Sequence, residues 1–206
     1  MLNKSSSKKS VSTTELKEIF ATGLKLCIFM SVICVMLFFV NSITAEKIAE
    51  FESKKINDAI ITIMGDDPNM TIEPLEDLGD SSVKEVYKID SMVDEQSQLI
   101  GYCVYAKAKG YGGEFNLLVG LNADGTVKGI SVISDSETVG IGKKVLTDSF
   151  LSKFNGKSEG VTLGSGDIVA VSGATVTSKA VTSCVNSVLD FYESTLKEAD
   201  TDENNG

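Results

Sequence analysis

Residues 172 to 178 read Ser-Gly-Ala-Thr-Val-Thr-Ser and stand immediately before a segment of helical periodicity. Val181, Cys184, Val185, Val188, Leu189, Tyr192 and Leu196 follow at the spacing of one buried helical face. Small and hydroxylated residues thus meet a helix N-terminus, where the first backbone N–H groups lack intrahelical acceptors and the macrodipole is positive. That is chemistry for an anion such as a phosphate. Gly173 permits a tight turn and close approach of a ligand. The same residue types also cap helices, and composition alone fits that plainer role.

The elements that must position this segment are mostly strands. Residues 83–90 alternate around Val83, Glu85, Tyr87 and Ile89, and 99–109 around Tyr102, Val104, Ala106 and Ala108. Strands at 115–121 and 127–134 follow, joined by Asn-Ala-Asp-Gly-Thr at 122–126, in which Asp-Gly supplies a hairpin turn. Residues 145–154 read as a short helix, and a long helix after Ser178 closes the domain. Strands first and a long helix last predict an α+β fold built on an antiparallel sheet with flanking helices. Two glycine-rich turns punctuate the strands: Gly110-Tyr111-Gly112-Gly113, and Glu137-Thr138-Val139-Gly140-Ile141-Gly142.

Upstream lies a different solvent problem. No charged residue occurs between Lys25 and Glu46, and residues 26–45 are long and apolar enough to cross a bilayer as one helix. The long apolar stretch without a small-x-small cleavage site reads as an uncleaved anchor rather than a signal peptide. Lys4, Lys8, Lys9, Lys17 and Lys25 precede it, so the positive-inside rule places residues 1–25 in the cytoplasm and the C-terminal domain on the extracytoplasmic side. Residues 46–82 are expected to form a helical stalk and a loop, with a turn at 66–69. Asp66 and Asp67 in that turn lack the spacing of a calcium loop. The domain proper is expected over 83–198, with an acidic, disordered tail at 199–206.

Composition limits the chemistry further. The 206 residues include no His and no Trp, and every one of the 19 basic residues is Lys. Histidine bases, histidine metal ligands and c-type haem attachment are thereby excluded within the chain. Cys27, Cys34, Cys103 and Cys184 have no CxxC spacing, so no metal site is expected. Cys27 and Cys34 share one face of the membrane helix, for packing or for a ligand set shared with another subunit. Whether Cys103 and Cys184 pair is not legible from spacing. A net charge of −10 without a basic stripe argues against nucleic acid. Electrons, if carried, need an organic cofactor.

Three segments, in this order, resemble the FMN-binding domain family found in the G subunit of Rnf complexes and the C subunit of the Na⁺-translocating NADH:quinone reductase. They are the Gly110, Tyr111, Gly112, Gly113 turn, the Glu137, Thr138, Gly140, Gly142 loop, and Ser172, Gly173, Ala174, Thr175, Val176, Thr177. With the single anchor, the architecture resembles the Rnf member best. The resemblance implies FMN joined covalently to Thr175 through a phosphoester made by an ApbE-type flavin transferase, with Thr177 as the alternative acceptor. It implies a ring resting against the two glycine-rich loops, and no catalytic acid or base in this chain.

The implied role is an electron-carrier subunit of a ferredoxin:NAD⁺ oxidoreductase coupled to Na⁺ or H⁺ translocation. Its partners would be membrane subunits, another covalent-flavin subunit and iron–sulfur proteins. Alternatives are the quinone reductase subunit, a stand-alone extracellular FMN carrier, and a cofactor-free anchored scaffold. One position departs from the motif: the Asp usual three residues before the Ser is Val169 here, and the nearest acid is Asp167.

Overall fold

The computed structural model of the chain describes residues 13–75, 83–93, 96–164 and 168–197. Asp167, the residues 76–82 expected as a loop, and the expected tail lie outside the described residues. A single helix, α1 (Thr13–Met64), carries the apolar segment. Within Met1–Phe51, one of two compact units, the side chains from Leu26 to Val40 are apolar save Ser31 and are exposed on every side of the helix, Phe38 and Val35 included. An all-round apolar helix needs an apolar solvent. It is long and apolar enough to cross a membrane.

The second unit, Glu52–Gly206, is built around one antiparallel sheet in the order β1-β2-β3-β4-β5. The strands are β1 (Met70–Leu75), β2 (Val83–Val93), β3 (Gln96–Lys109), β4 (Glu114–Asn122) and β5 (Val127–Asp135). Each pairs with the next in sequence, so the sheet is a meander and every connection is local. The four expected strands are present. β1 adds a fifth at the edge, where Pro74 removes no ladder bond that an interior strand would need. The Asp-Gly turn forms as the sequence requires, with Gly125 at φ 83°.

Side-chain alternation along β3 sorts residues onto two faces. Tyr102, Val104 and Ala106 point into the larger core, with Phe115, Leu117, Val119 and Leu121 of β4. That core is closed by α2 (Asp148–Leu151) with its neighbour Phe154, and by α3 (Thr175–Phe191), which a π turn continues at Tyr192–Leu196. Cys103, Tyr105 and Leu118 point to the other face, where Ile56, Ala59, Ile60 and Met64 of α1 cover them. Part of the segment expected as a stalk is therefore core. Along β2 the period of two is interrupted by irregularities between Val83 and Glu85 and between Ile89 and Asp90. Val83 and Val86 consequently face one core, and Tyr87 and Ile89 the other.

Two further details differ from the sequence expectation. Residues 145–154 are not one helix. A 3-10 turn at Gly142–Lys144 is followed by extended backbone at Thr147 (φ −125°, ψ 150°), the single turn of α2 and a second 3-10 turn at Ser152–Phe154. The closing helix starts at Thr175, inside the motif rather than after it. Cys103 and Cys184 lie in cores on opposite faces of the sheet, and both are free thiols. A sheet thickness between them prevents the approach a disulfide needs.

Candidate functional site

Thr175 is the first residue of α3 and is exposed, as are Gly173 before it and Val176 after it. Gly173 adopts φ 78°, a left-handed conformation that suits glycine, and so turns the chain into the helix. The N-cap position falls on Ala174 (φ −135°, ψ 33°), and no side chain caps the helix. The hydroxyls of the motif are thus not spent on capping. Ala174 itself is buried and anchors the turn, with its N–H donating to the Val171 carbonyl at 2.9 Å. Ser178 is also committed inward. Its hydroxyl donates to the Ala174 carbonyl at 3.0 Å and accepts from the Val171 N–H at 3.1 Å.

The two candidate threonines have opposite surroundings. Thr177 is fully buried, its Oγ1 donating to Glu137 Oε1 at 3.0 Å and accepting from the Tyr111 N–H at 3.2 Å. Glu137 Oε2 accepts from the Gly112 N–H at 2.8 Å. The three motif segments, separated by 25 to 66 residues in sequence, therefore meet around one carboxylate. Gly110, Gly112 and Gly142 all face it. A Cβ on Gly110 would lie 1.6 Å from Oε1, and one on Gly142 would lie 1.9 Å from Oε2. On Gly112 it would lie 2.4 Å from the Thr138 nitrogen. The sequence marked these glycines but offered no sign that a glutamate side chain of the same chain occupies the space they leave.

Several exposed side chains near this buried junction in sequence are apolar. Outside the membrane segment, four of the most exposed large hydrophobic residues are Tyr111 (62%), Val139 (80%), Val169 (63%) and Val176 (54%). They come from the three motif segments and the stretch leading into the last of them. Val169 thus adds apolar surface rather than a charge. A groove of about 230 Å³ lies between β3 and α3, lined by Val83, Ala106, Lys107, Ala180, Ser183 and Cys184 among others. It is below the size that encloses a cofactor. Among the described residues no group of His, Cys, Asp and Glu side chains is suited to hold a metal.

Known proteins match these same segments. The model of the FMN-binding domain family matches residues 110–190, which begin at the Gly110 turn and end near the close of α3. The G subunit of the Na(+)-translocating ferredoxin:NAD(+) oxidoreductase complex of Acetobacterium woodii is 31% identical over 198 residues, 88% of this chain and 95% of that protein. The G subunit of the proton-translocating ferredoxin:NAD(+) oxidoreductase complex of Clostridium ljungdahlii is 39% identical over 100 residues, 46% of this chain and 54% of that one. Among solved structures, Shewanella oneidensis NqrC aligns with a TM-score of 0.41 and 25% identity, over 59% of this chain and 64% of that chain. With an FMN-binding domain behind an apolar helix and a relative matched along nearly its whole length, the chain belongs to the family of G subunits of ion-translocating ferredoxin:NAD⁺ oxidoreductase complexes.

Proposed function

We propose that this chain is the membrane-anchored electron carrier of an Rnf-type complex and holds FMN as a phosphoester of Thr175 on the extracytoplasmic side. The observation that carries the assignment of the acceptor is the contrast within the motif. Thr175 is exposed at an uncapped helix N-terminus, whereas the Thr177 hydroxyl is buried and bonded on both sides. A flavin transferase of the ApbE type can reach the first hydroxyl and not the second.

The residues present fit the group. Esterification leaves about one negative charge on the phosphate, beside the first-turn N–H groups of α3 that have no helical acceptor. Tyr111, Val139 and Val176 offer the apolar and aromatic surface that a planar ring covers. When bound, FMN supplies the one- and two-electron chemistry that the side chains lack. The protein's own work is to bind, to orient and to limit water. Covalent attachment suits a carrier on the outer side of a membrane, because dissociation there would lose the cofactor.

The two relatives are named for translocating different ions, Na⁺ and protons, and both names include ferredoxin and NAD⁺. On that basis the chain passes electrons among redox subunits of a complex coupling ferredoxin and NAD⁺ to ion movement. Mass spectrometry of protein purified from its native membrane tests the attachment. Lys157 and Lys179 bracket one tryptic peptide containing both threonines, so fragmentation must assign the modified residue. An FMN-sized addition on Thr175 is the expected result. An unmodified peptide, from a host that has the transferase, would overturn it and favour a cofactor-free anchored scaffold.

A further inference from the structure

Glu137 is the only acidic or basic residue among the buried residues described, with 4% of its surface accessible. Nothing in the proposed electron transfer uses a carboxylate there. Burying one is costly unless its oxygens are satisfied by hydrogen bonds, and here neutral donors satisfy both. The donors are informative. The Gly112 N–H binds Oε2 directly, and the preceding amide, Tyr111 N–H, binds Oε1 through the Thr177 hydroxyl. Two consecutive amides of the 110–113 turn are thus held to the first turn of α3, two residues from Thr175.

We infer that Glu137 is a positioning residue: with Thr177 it latches the turn bearing Tyr111 to the helix bearing Thr175, and so fixes the bed on which the flavin lies. The inference rests on FMN being attached at Thr175. The absence of side chains on Gly110, Gly112 and Gly142 serves this latch, since a methyl group on any of them would displace the carboxylate or the Thr138 backbone. The Tyr111 side chain is exposed, so its placement depends on its backbone, and its backbone on Thr177. A positioned aromatic surface next to a tethered ring restricts the ring's rotation and decides its environment.

Full-length protein in detergent, produced with the flavin transferase, provides the test. Thr177→Val preserves shape but deprives the Tyr111 N–H of its acceptor, and Thr177→Ser retains the hydroxyl. Glu137→Ala removes the acceptor of both donors. In Thr177→Val, amide exchange at Tyr111 should accelerate by about tenfold, the scale of an unmade buried hydrogen bond, while strand amides keep their protection. The Thr175-linked flavin should show lower emission anisotropy in Thr177→Val and Glu137→Ala, with wild-type behaviour restored in Thr177→Ser. Wild-type exchange at Tyr111 and Gly112 in Thr177→Val would overturn the latch. Faster exchange with unchanged flavin anisotropy would overturn its role in placing the cofactor. A wild-type protein without FMN on Thr175 would instead defeat the attachment assignment, leaving amide exchange to decide the latch alone.

Discussion

Thr175 and Thr177 are two residues apart and chemically alike, yet about half a turn of helix gives them opposite fates, one exposed and one sealed against Glu137. Thr175→Val should abolish in-gel flavin fluorescence while changing unfolding stability by no more than about 0.5 kcal/mol, the range for an exposed substitution; denaturant titration alongside the gel checks both. The cysteines follow the same logic of surroundings. Burial pushes the Cys103 and Cys184 thiols up to about 12. Neither should react with maleimide at about pH 8 in the folded protein, and both should react after denaturation, because the thiolate is the nucleophile. The sign of the pH dependence follows. In the unfolded chain these thiols ionise near 9, so between pH 9 and 12 the unfolded state holds fewer protons and stability falls as pH rises. A shallower alkaline slope in Cys103→Ala is the expected measurement.

Among the elements, the sheet is the part most legible from sequence. Period-two alternation and the Asp-Gly turn identify β3, β4 and β5 nearly to their ends, since both signals are local. β1 was not legible: six residues with a proline carry little alternation, and an edge strand is defined by the neighbour that pairs with it. The break in 145–154 was equally hidden, because Thr147 is extended for tertiary reasons while its neighbours bury Val145, Phe150 and Phe154. Packing of α1 on the sheet depends on close approach at Gly120, where a Cβ would lie 2.4 Å from Ile63 Cγ2. Gly120→Ala should destabilise the domain by about 1–3 kcal/mol through overpacking, measurable as a lower denaturation midpoint.

For the whole molecule, the chain joins an all-round apolar helix to an acidic α+β domain, two bodies suited to different solvents. The lysines before the anchor set the expected sidedness. Protease added to right-side-out spheroplasts should digest the domain beyond Glu52, and inverted vesicles should protect it. The reverse pattern would place the flavin on the cytoplasmic face and remove the extracytoplasmic carrier role. The match to the FMN-binding domain, over residues 110–190, falls within the second of the two bodies.

The sequence by itself determined what depends on local pattern: an apolar helix of membrane length, the hairpins of the meander, the absence of histidine chemistry and the small, hydroxyl-bearing residues opening α3. Tertiary structure alone decided which of two threonines is accessible, which face of the sheet each cysteine enters, and why three glycines surround Glu137. Those outcomes are set by contacts between residues far apart in the chain, and neither periodicity nor composition carries information about which distant side chain will fill a given space.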